Sequence, residues 1–356
     1  MSEKTAIFLG AGASAAEGAS SQGSLFKDYF EMIKKRGGRR KDHEKELARF
    51  FDQMFGIKVN KRMEGIEFPT FEEALGILDL ADQNNQSFRN FPLLNLTSNS
   101  GRINYLRIYL VFLMADILQE KLRRRARLHR ELVNQLARLR KLKDIFFVTT
   151  NYDILCDNAL LDQAERGREK INYGFDFVNS NQGFLARQGE ESIKLFKIHG
   201  SLNWLFCPTC NNLRLTPYQK GVSDLITDPD QSGCPTCGTF YAPIIVPPTF
   251  YKNLSNVFLS QVWNKTEAHL LEAEHLVFCG YSFPDADIHV KYLIKRIQKN
   301  RKPGKPFKVS VVNNYDGKKE PAIKEEMYRY RRFLGGCVNY TKYSFEEFAC
   351  NPSLLV

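Results

Sequence analysis

The stretch Thr5-Ala6-Ile7-Phe8-Leu9-Gly10-Ala11-Gly12-Ala13-Ser14 decides the fold. A continuous apolar run suits a strand buried on both faces. Glycines just after it let the backbone close up where the next helix starts. Taken alone, the glycines fit an ordinary tight turn equally well. Four further runs repeat the pattern: Ile145–Val148 before Thr149, Leu195–Ile198 before His199, Leu276–Cys279 before Gly280, and Val309–Val312 before Asn313. Helical patterns such as Thr266–Glu274 and Ile288–Lys299 lie between them. This alternation predicts an α/β fold with an open parallel sheet. Ligands of such sheets bind beyond the carboxyl ends of the strands. The clusters Gly-Ala-Gly, Thr-Thr-Asn-Tyr-Asp, His-Gly-Ser, Gly-Tyr-Ser and Asn-Asn are therefore expected around one crevice.

Working outward, residues 1–24 and 144–350 are expected to form a Rossmann-like domain, interrupted by a helical insertion over 25–143. The second half of that insertion, Ile103–Lys143, has apolar residues at helical spacing and a basic outer face. A small module over 205–242 holds Cys207-x2-Cys210-x23-Cys234-x2-Cys237. Four thiolates in two chelating turns suit tetrahedral zinc, and four sulfur ligands leave no open position for water, so the metal would be structural. Pro208, Pro235 and Gly238 are the turn residues such a module needs. Redox chemistry is the competing use of these cysteines, although one pair would serve it. Cys156, Cys279, Cys337 and Cys350 read as free thiols in or near the core.

Composition sets the outer limits. With 356 residues, 43% hydrophobic and 26% charged, the chain is neither a disordered tail nor a fibre. No apolar run reaches the roughly 18 residues of a membrane span. The opening residues lack a basic region followed by an apolar one, so a cytoplasmic protein is expected. The net charge of +11 raises nucleic acid or an acidic partner as candidates. It concentrates in Lys34–Lys41, Lys121–Lys143 and Lys291–Lys308, which leaves the rest of the chain net negative. Such runs are commonly solvated faces. Here they are expected to form an assembly or partner face, with direct nucleic-acid binding secondary, because the strand-end clusters carry few cations.

Gly10-Ala11-Gly12-Ala13-Ser14, Thr150-Asn151-Tyr152-Asp153, Lys197-Ile198-His199-Gly200-Ser201, the four cysteines, Gly280-Tyr281-Ser282 and Val312-Asn313 fall in the order seen in the sirtuins. The chain resembles the bacterial sirtuin-like branch found in antiviral defence systems. Thr-Thr-Asn-Tyr-Asp, Phe68-Pro69-Thr70-Phe71-Glu72 and Gly280-Tyr281-Ser282-Phe283 are similar to that branch. The resemblance implies nicotinamide adenine dinucleotide (NAD+) as substrate and zinc as a structural ion. It implies that Gly10, Ala11, Gly12 and Ser14 hold the phosphates and that Asn151 and Asp153 face the nicotinamide ribose. His199 would be the base, Gly280 and Ser282 would contact phosphate or adenosine, and Asn313 the adenine ribose. Read without the resemblance, His199 is equally a satisfied structural histidine, and Asn151 and Asp153 a turn or helix-capping pair.

The departures bear on the reaction. Ala15 and the lack of an acid at the usual distance argue against an ordinary nicotinamide dehydrogenase. Sirtuin deacetylases carry Asp-Phe-Arg where this chain reads Ser20-Ser21-Gln22-Gly23-Ser24-Leu25-Phe26. They carry Phe-Gly-Glu where it reads Ile245-Val246-Pro247-Pro248-Thr249-Phe250-Tyr251-Lys252. The expected activity is thus NAD+ hydrolysis to ADP-ribose and nicotinamide, depleting the cofactor in antiphage defence. A protein-lysine deacylase and a non-catalytic nucleotide-binding scaffold are the alternatives. A toxic activity needs an off state, so a homo-oligomer or a separately encoded partner is expected, such as a HerA-type ATPase or an Argonaute-type protein.

Overall fold

The computed structural model describes residues 3–20, 23–59, 63, 65–92, 103–121, 127–167, 169–175, 184–186, 190–218, 233–246, 256–285, 287–301, 307–315 and 317–356. In chain order the elements are β1 (Thr5–Leu9), α1 (Ala11–Ala15), α2 (Leu25–Arg36), α3 (Asp42–Phe55), α4 (Phe71–Gln83), α5 (Ile103–Lys121) and α6 (Leu128–Arg138). There follow β2 (Ile145–Thr149), α7 (Leu155–Gly167), β3 (Lys170–Asn172), β4 (Ser192–Lys197), β5 (Gly200–Phe206), β6 (Leu213–Leu215) and β7 (Ala242–Ile245). The chain continues through α8 (Val257–Glu272), β8 (His275–Cys279), α9 (Ile288–Asn300), β9 (Lys308–Val312), α10 (Glu320–Leu334), β10 (Val338–Tyr340) and α11 (Phe345–Cys350).

Two compact units result. The first comprises residues 1–19, 124–246 and 252–356, the second 20–123 and 247–251. In the first, seven parallel strands run in the order β10-β9-β8-β1-β2-β4-β3. Every residue of β1, β2 and β8 is buried, as expected of strands covered on both faces. All five apolar runs are strands of this sheet. Its two edges, β3 and β10, are three residues each and carry no apolar run to announce them. Strand β1 sits centrally. The chain leaves it outward through β2 and returns to pair β8 on its other side, so the strand order reverses at β1. A topological switch point of this kind opens a crevice at the carboxyl ends.

Helix α6 packs on α7 and α11 within the sheet-bearing unit. The sequence reading placed it in the helical insertion. Its apolar face, Leu128, Leu132, Val133 and Leu136, belongs to the sheet's core. Periodicity shows that a helix has an apolar face but not which neighbour covers it.

The second unit contains α2–α5. Phe26, Phe30, Phe51 and Phe68 pack with ring centroids 4.6 to 6.4 Å apart. Thr70 and Glu73 form a reciprocal capping box at the start of α4. On the exposed-to-buried boundary of this unit, Arg107 bridges Asp79 and Asp82. No described helix is long and apolar enough to cross a membrane.

Candidate functional site

Three glycines build the switch point. The Gly10 N–H donates to the Cys279 carbonyl at 2.9 Å, and the Gly12 N–H to the Gly280 carbonyl at 2.7 Å. A Cβ on Gly280, whose φ is +63°, would stand 2.0 Å from the Ala13 nitrogen. A Cβ on Gly12 would stand 2.8 Å from the Gly280 Cα. The ends of β1 and β8 therefore interlock through backbone that only glycine supplies. This differs from the expected phosphate cradle, because the Gly10 and Gly12 amides donate within the fold. Ala11 and Gly12 nonetheless remain exposed at the loop tip.

Asn151, two residues beyond β2, meets this loop. Its amide nitrogen donates to the Gly10 carbonyl and to Ser14 Oγ, both at 2.8 Å. Gly10 offers only a lone pair, so the amide nitrogen must face it, and the orientation is chemically determined. Both amide hydrogens are thus engaged, which leaves the Asn151 Oδ1 without a hydrogen-bond partner among the described residues. Ser14 Oγ passes its own hydrogen to Asp153 Oδ2 at 2.6 Å, and Asp153 Oδ1 accepts from the Leu155 N–H at 3.0 Å. The chain Asn151–Ser14–Asp153 is at most 9% exposed at any residue. Asp153 Oδ2 thereby orients Ser14 and Oδ1 holds the start of α7, while each oxygen keeps a further lone pair.

His199 lies between β4 and β5 and is 2% exposed. Its carbonyl accepts from the Val246 N–H at 2.9 Å, while Tyr152 Oη donates to the Val246 carbonyl at 2.6 Å. The Tyr152 and His199 rings lie 6.3 Å apart, which sets the histidine beside Asn151's own loop. Gly200, at φ +82°, could carry no Cβ, because it would strike the Ile244 carbonyl at 1.9 Å. The glycine after the histidine is thus needed for β5 to lie against β7.

Beneath this layer is a buried network that sequence reading missed. Lys197 is 0% exposed. Its ammonium donates to the Asp153 carbonyl and, at 2.7 Å, to Asp157 Oδ2. Asp157, also fully buried, accepts from Tyr173 Oη at 3.0 Å and from the Asn203 amide at 3.4 Å. Burial, and secondarily the Asp157 carboxylate, pushes the Tyr173 hydroxyl well above its usual range. Burial likewise raises the neighbouring Cys156 thiol, which is inert rather than nucleophilic. Lys197 was visible only as a residue before His-Gly-Ser, and nothing in Cys156-Asp157-Asn158 marks Asp157 as its partner.

Glu17, after the glycine loop, ties α6 to it. Its carboxylate accepts from the Arg127 and His129 amides and from the His129 ring at 2.7 to 2.9 Å. Burial alone would raise its pKa, but the bonds from His129 outweigh this and hold it below 4.5.

Further along the crevice edge, Ser282 is exposed, and its carbonyl accepts from Arg329 at 3.2 Å. Asn313 follows β9, and its amide nitrogen donates to the buried Glu326 at 2.5 Å. Gly10, Gly12, Ser14, Asn151, Asp153 and Gly280 share direct hydrogen bonds or backbone contacts, with Ala11 exposed between the two glycines. His199 adjoins them through Tyr152, while Ser282 and Asn313 lie at neighbouring strand ends.

The cysteine module forms on the sheet β6-β5-β7. Cys207 follows β5 directly. The four Sγ atoms lie within 4.8 Å of one another, with closest pairs at 3.3, 3.6 and 3.8 Å. A tetrahedral zinc with bonds of about 2.3 Å sets its sulfurs about 3.8 Å apart. Each pair sits on a tight turn in which the amide four residues on returns to the first cysteine's carbonyl: Asn211 to Cys207, and Gly238 to Cys234. The donor set and spacing fit zinc, and the residues lie away from the Asn151 loop in sequence and on the small sheet.

A family model described as the SIR2-like domain matches residues 145–331, more than half of the chain. The chain belongs to the SIR2-like domain family. The match runs from β2 into α10 and so takes in Asn151, Asp153, His199, the four cysteines, Gly280, Ser282 and Asn313. No curated protein matches this SIR2-like chain. Among solved structures it is similar to a Sir2–p53 peptide–NAD+ complex, at 14% identity over 97% of this chain and 90% of that one, TM-score 0.44. It is also similar to a structure titled for the structural basis of sirtuin substrate affinity, at 16% identity over 97% and 90%, TM-score 0.40. Likeness at that level assigns no residue roles in this SIR2-like protein.

Proposed function

We propose that the protein is an NAD+ hydrolase that breaks the nicotinamide–ribose bond to give ADP-ribose and nicotinamide. The observation that carries this reading is the oriented Asn151. Its amide hydrogens are held by Gly10 and Ser14, so its Oδ1 is a fixed acceptor at the switch point of a SIR2-like sheet. Cleaving the bond builds oxocarbenium character at the ribose carbon, as in glycoside hydrolysis. Nicotinamide departs as a neutral ring with the bonding electrons, so no strong acid is required. Asn151 Oδ1 accepts a hydrogen from the attacking water or a ribose hydroxyl. The water oxygen bonds to the anomeric carbon, and His199 takes the proton released. General-base help of this kind contributes about 10² to 10⁴ in rate. Ser14 and Asp153 hold Asn151 in place, and Lys197 and Asp157 support Asp153 from below.

We further assign the activity to NAD+ depletion in antiviral defence, following the motif resemblance, with a homo-oligomer or a HerA-type or Argonaute-type partner holding it off. The stretch 247–252, where deacetylases carry a groove segment, lies outside the described residues. The test is nicotinamide release from NAD+ with and without an acetylated peptide. Release without peptide, abolished by Asn151→Ala and by His199→Ala in folded protein, is the expected result. Release only with peptide establishes the deacylase instead. No release, alone or with the co-purified partner, leaves a binding scaffold. Mass measurement of the complex purified from its own operon tests the partner, and a lone, fully active monomer contradicts it.

A further inference from the structure

A second oriented amide lies at the end of β9. Asn313 is 8% exposed, and its amide nitrogen donates to Glu326 Oε1 at 2.5 Å. Glu326, on α10, is 3% exposed and saturated with donors. Tyr340 Oη reaches the same oxygen at 2.8 Å, and the Lys318 ammonium reaches Oε2 at 3.0 Å. Lys318 also donates to the Asn313 carbonyl at 2.8 Å and to Tyr340 Oη at 3.1 Å. A carboxylate only accepts, so the Asn313 nitrogen must face it and its Oδ1 must face away. Among the described residues that oxygen has no hydrogen-bond partner. Lys318 is committed to this cluster, with its side chain 4% exposed, and so offers no cation to a phosphate beside Asn313.

We infer that Glu326 is a positioning residue that turns Asn313 into a fixed acceptor, so that the site takes a dinucleotide with a free 2′-hydroxyl and rejects its 2′-phosphorylated counterpart. This rests on the reading above, in which Asn313 meets the adenine ribose. A hydroxyl supplies the hydrogen that Oδ1 lacks. A 2′-phosphate is essentially all acceptor at neutral pH and brings negative charge toward an amide oxygen backed by a carboxylate. Sites built around one hydrogen bond discriminate most sharply against the analogue that cannot make it, because the polar group is left unpaired.

The experiment compares nicotinamide release from NAD+ and NADP+ by the full chain. In parallel, calorimetry follows binding of ADP-ribose and its 2′-phosphate. The wild type should favour NAD+ by about tenfold or more, chiefly in KM. Glu326→Gln lets the facing amides exchange donor and acceptor roles, and should shrink the NADP+/NAD+ ratio of KM several-fold with a smaller change in kcat. Asn313→Ala, which does not touch the buried carboxylate, should collapse the same ratio by raising the KM for NAD+, and covers the case in which Glu326→Gln does not fold. Equal use of both dinucleotides by the wild type overturns the inference while leaving the hydrolase reading intact. An unchanged ratio in folded variants does the same. Absence of binding by either ligand instead removes the hydrolase reading, and this inference with it.

Discussion

Lys197→Met strips the charge from the buried pair under the site while keeping most of the side-chain volume. Among the described residues, Asp157 would then keep the Tyr173 hydroxyl and the distant Asn203 amide. Removing one partner of a buried ion pair typically costs about 3–5 kcal/mol, because the other is stranded. The assay is denaturant unfolding followed by tryptophan fluorescence. Trp204 and Trp263 are the chain's two tryptophans and both lie in the sheet-bearing unit, so the signal reports that unit. The double variant Lys197→Met/Asp157→Asn should recover a large part of the loss, since it removes the charge while keeping an acceptor for Tyr173. A single-variant cost below about 1 kcal/mol, or a double variant as unstable as the sum of its parts, would refute the reasoning.

Gly280→Ala should destabilise the same unit by about 2–3 kcal/mol or more, combining a left-handed alanine with loss of the Gly12 to Gly280 bond. A thermal midpoint equal to wild type would mean the glycines do not interlock. Purified protein should hold one zinc per chain by mass spectrometry, and chelation or Cys237→Ser should unfold the β6-β5-β7 sheet. Metal-free protein of unchanged stability would sink the zinc assignment. Because Glu17 is held below 4.5 when folded, its contribution is fully present above that pH and is lost as pH falls through the lower, folded value. Glu17→Gln should flatten that acid limb of the stability profile, and a limb of unchanged slope would show that the bonds to His129 carry no linkage.

The basic runs show where one-dimensional reading stops. Lys291, in the third run, is buried, pairs with Asp285, and places its ammonium 5.1 Å from the Phe283 ring centroid. Lys295 similarly lies 4.6 Å from the centre of Phe333. Part of that run therefore holds α9 in place instead of forming a partner face. Composition records a charge but not what packs over it.

Other features were legible because their physical cause is local. A central parallel strand must be apolar on both faces, so Ile7, Phe147 and Val277 announce themselves as part of unbroken runs. The two Cys-x-x-Cys pairs announce a cluster that could hold a metal through their spacing. The edge strands β3 and β10 were not legible, because three residues with one buried side chain each need no such run.

By itself the sequence determined the α/β class, the central strands, the four-cysteine cluster and the residues at the strand ends. Only the tertiary structure decided what those residues do for one another. It spends the Gly10 and Gly12 amides on β8, turns Asn151 through Gly10 and Ser14, occupies Asp153 as a support, and joins Lys197 to Asp157 and Asn313 to Glu326. These bonds link residues 13 to 141 positions apart or cross between separate strands. A hydrogen bond's worth depends on burial and on which lone pair faces which hydrogen, and both are properties of the packed chain.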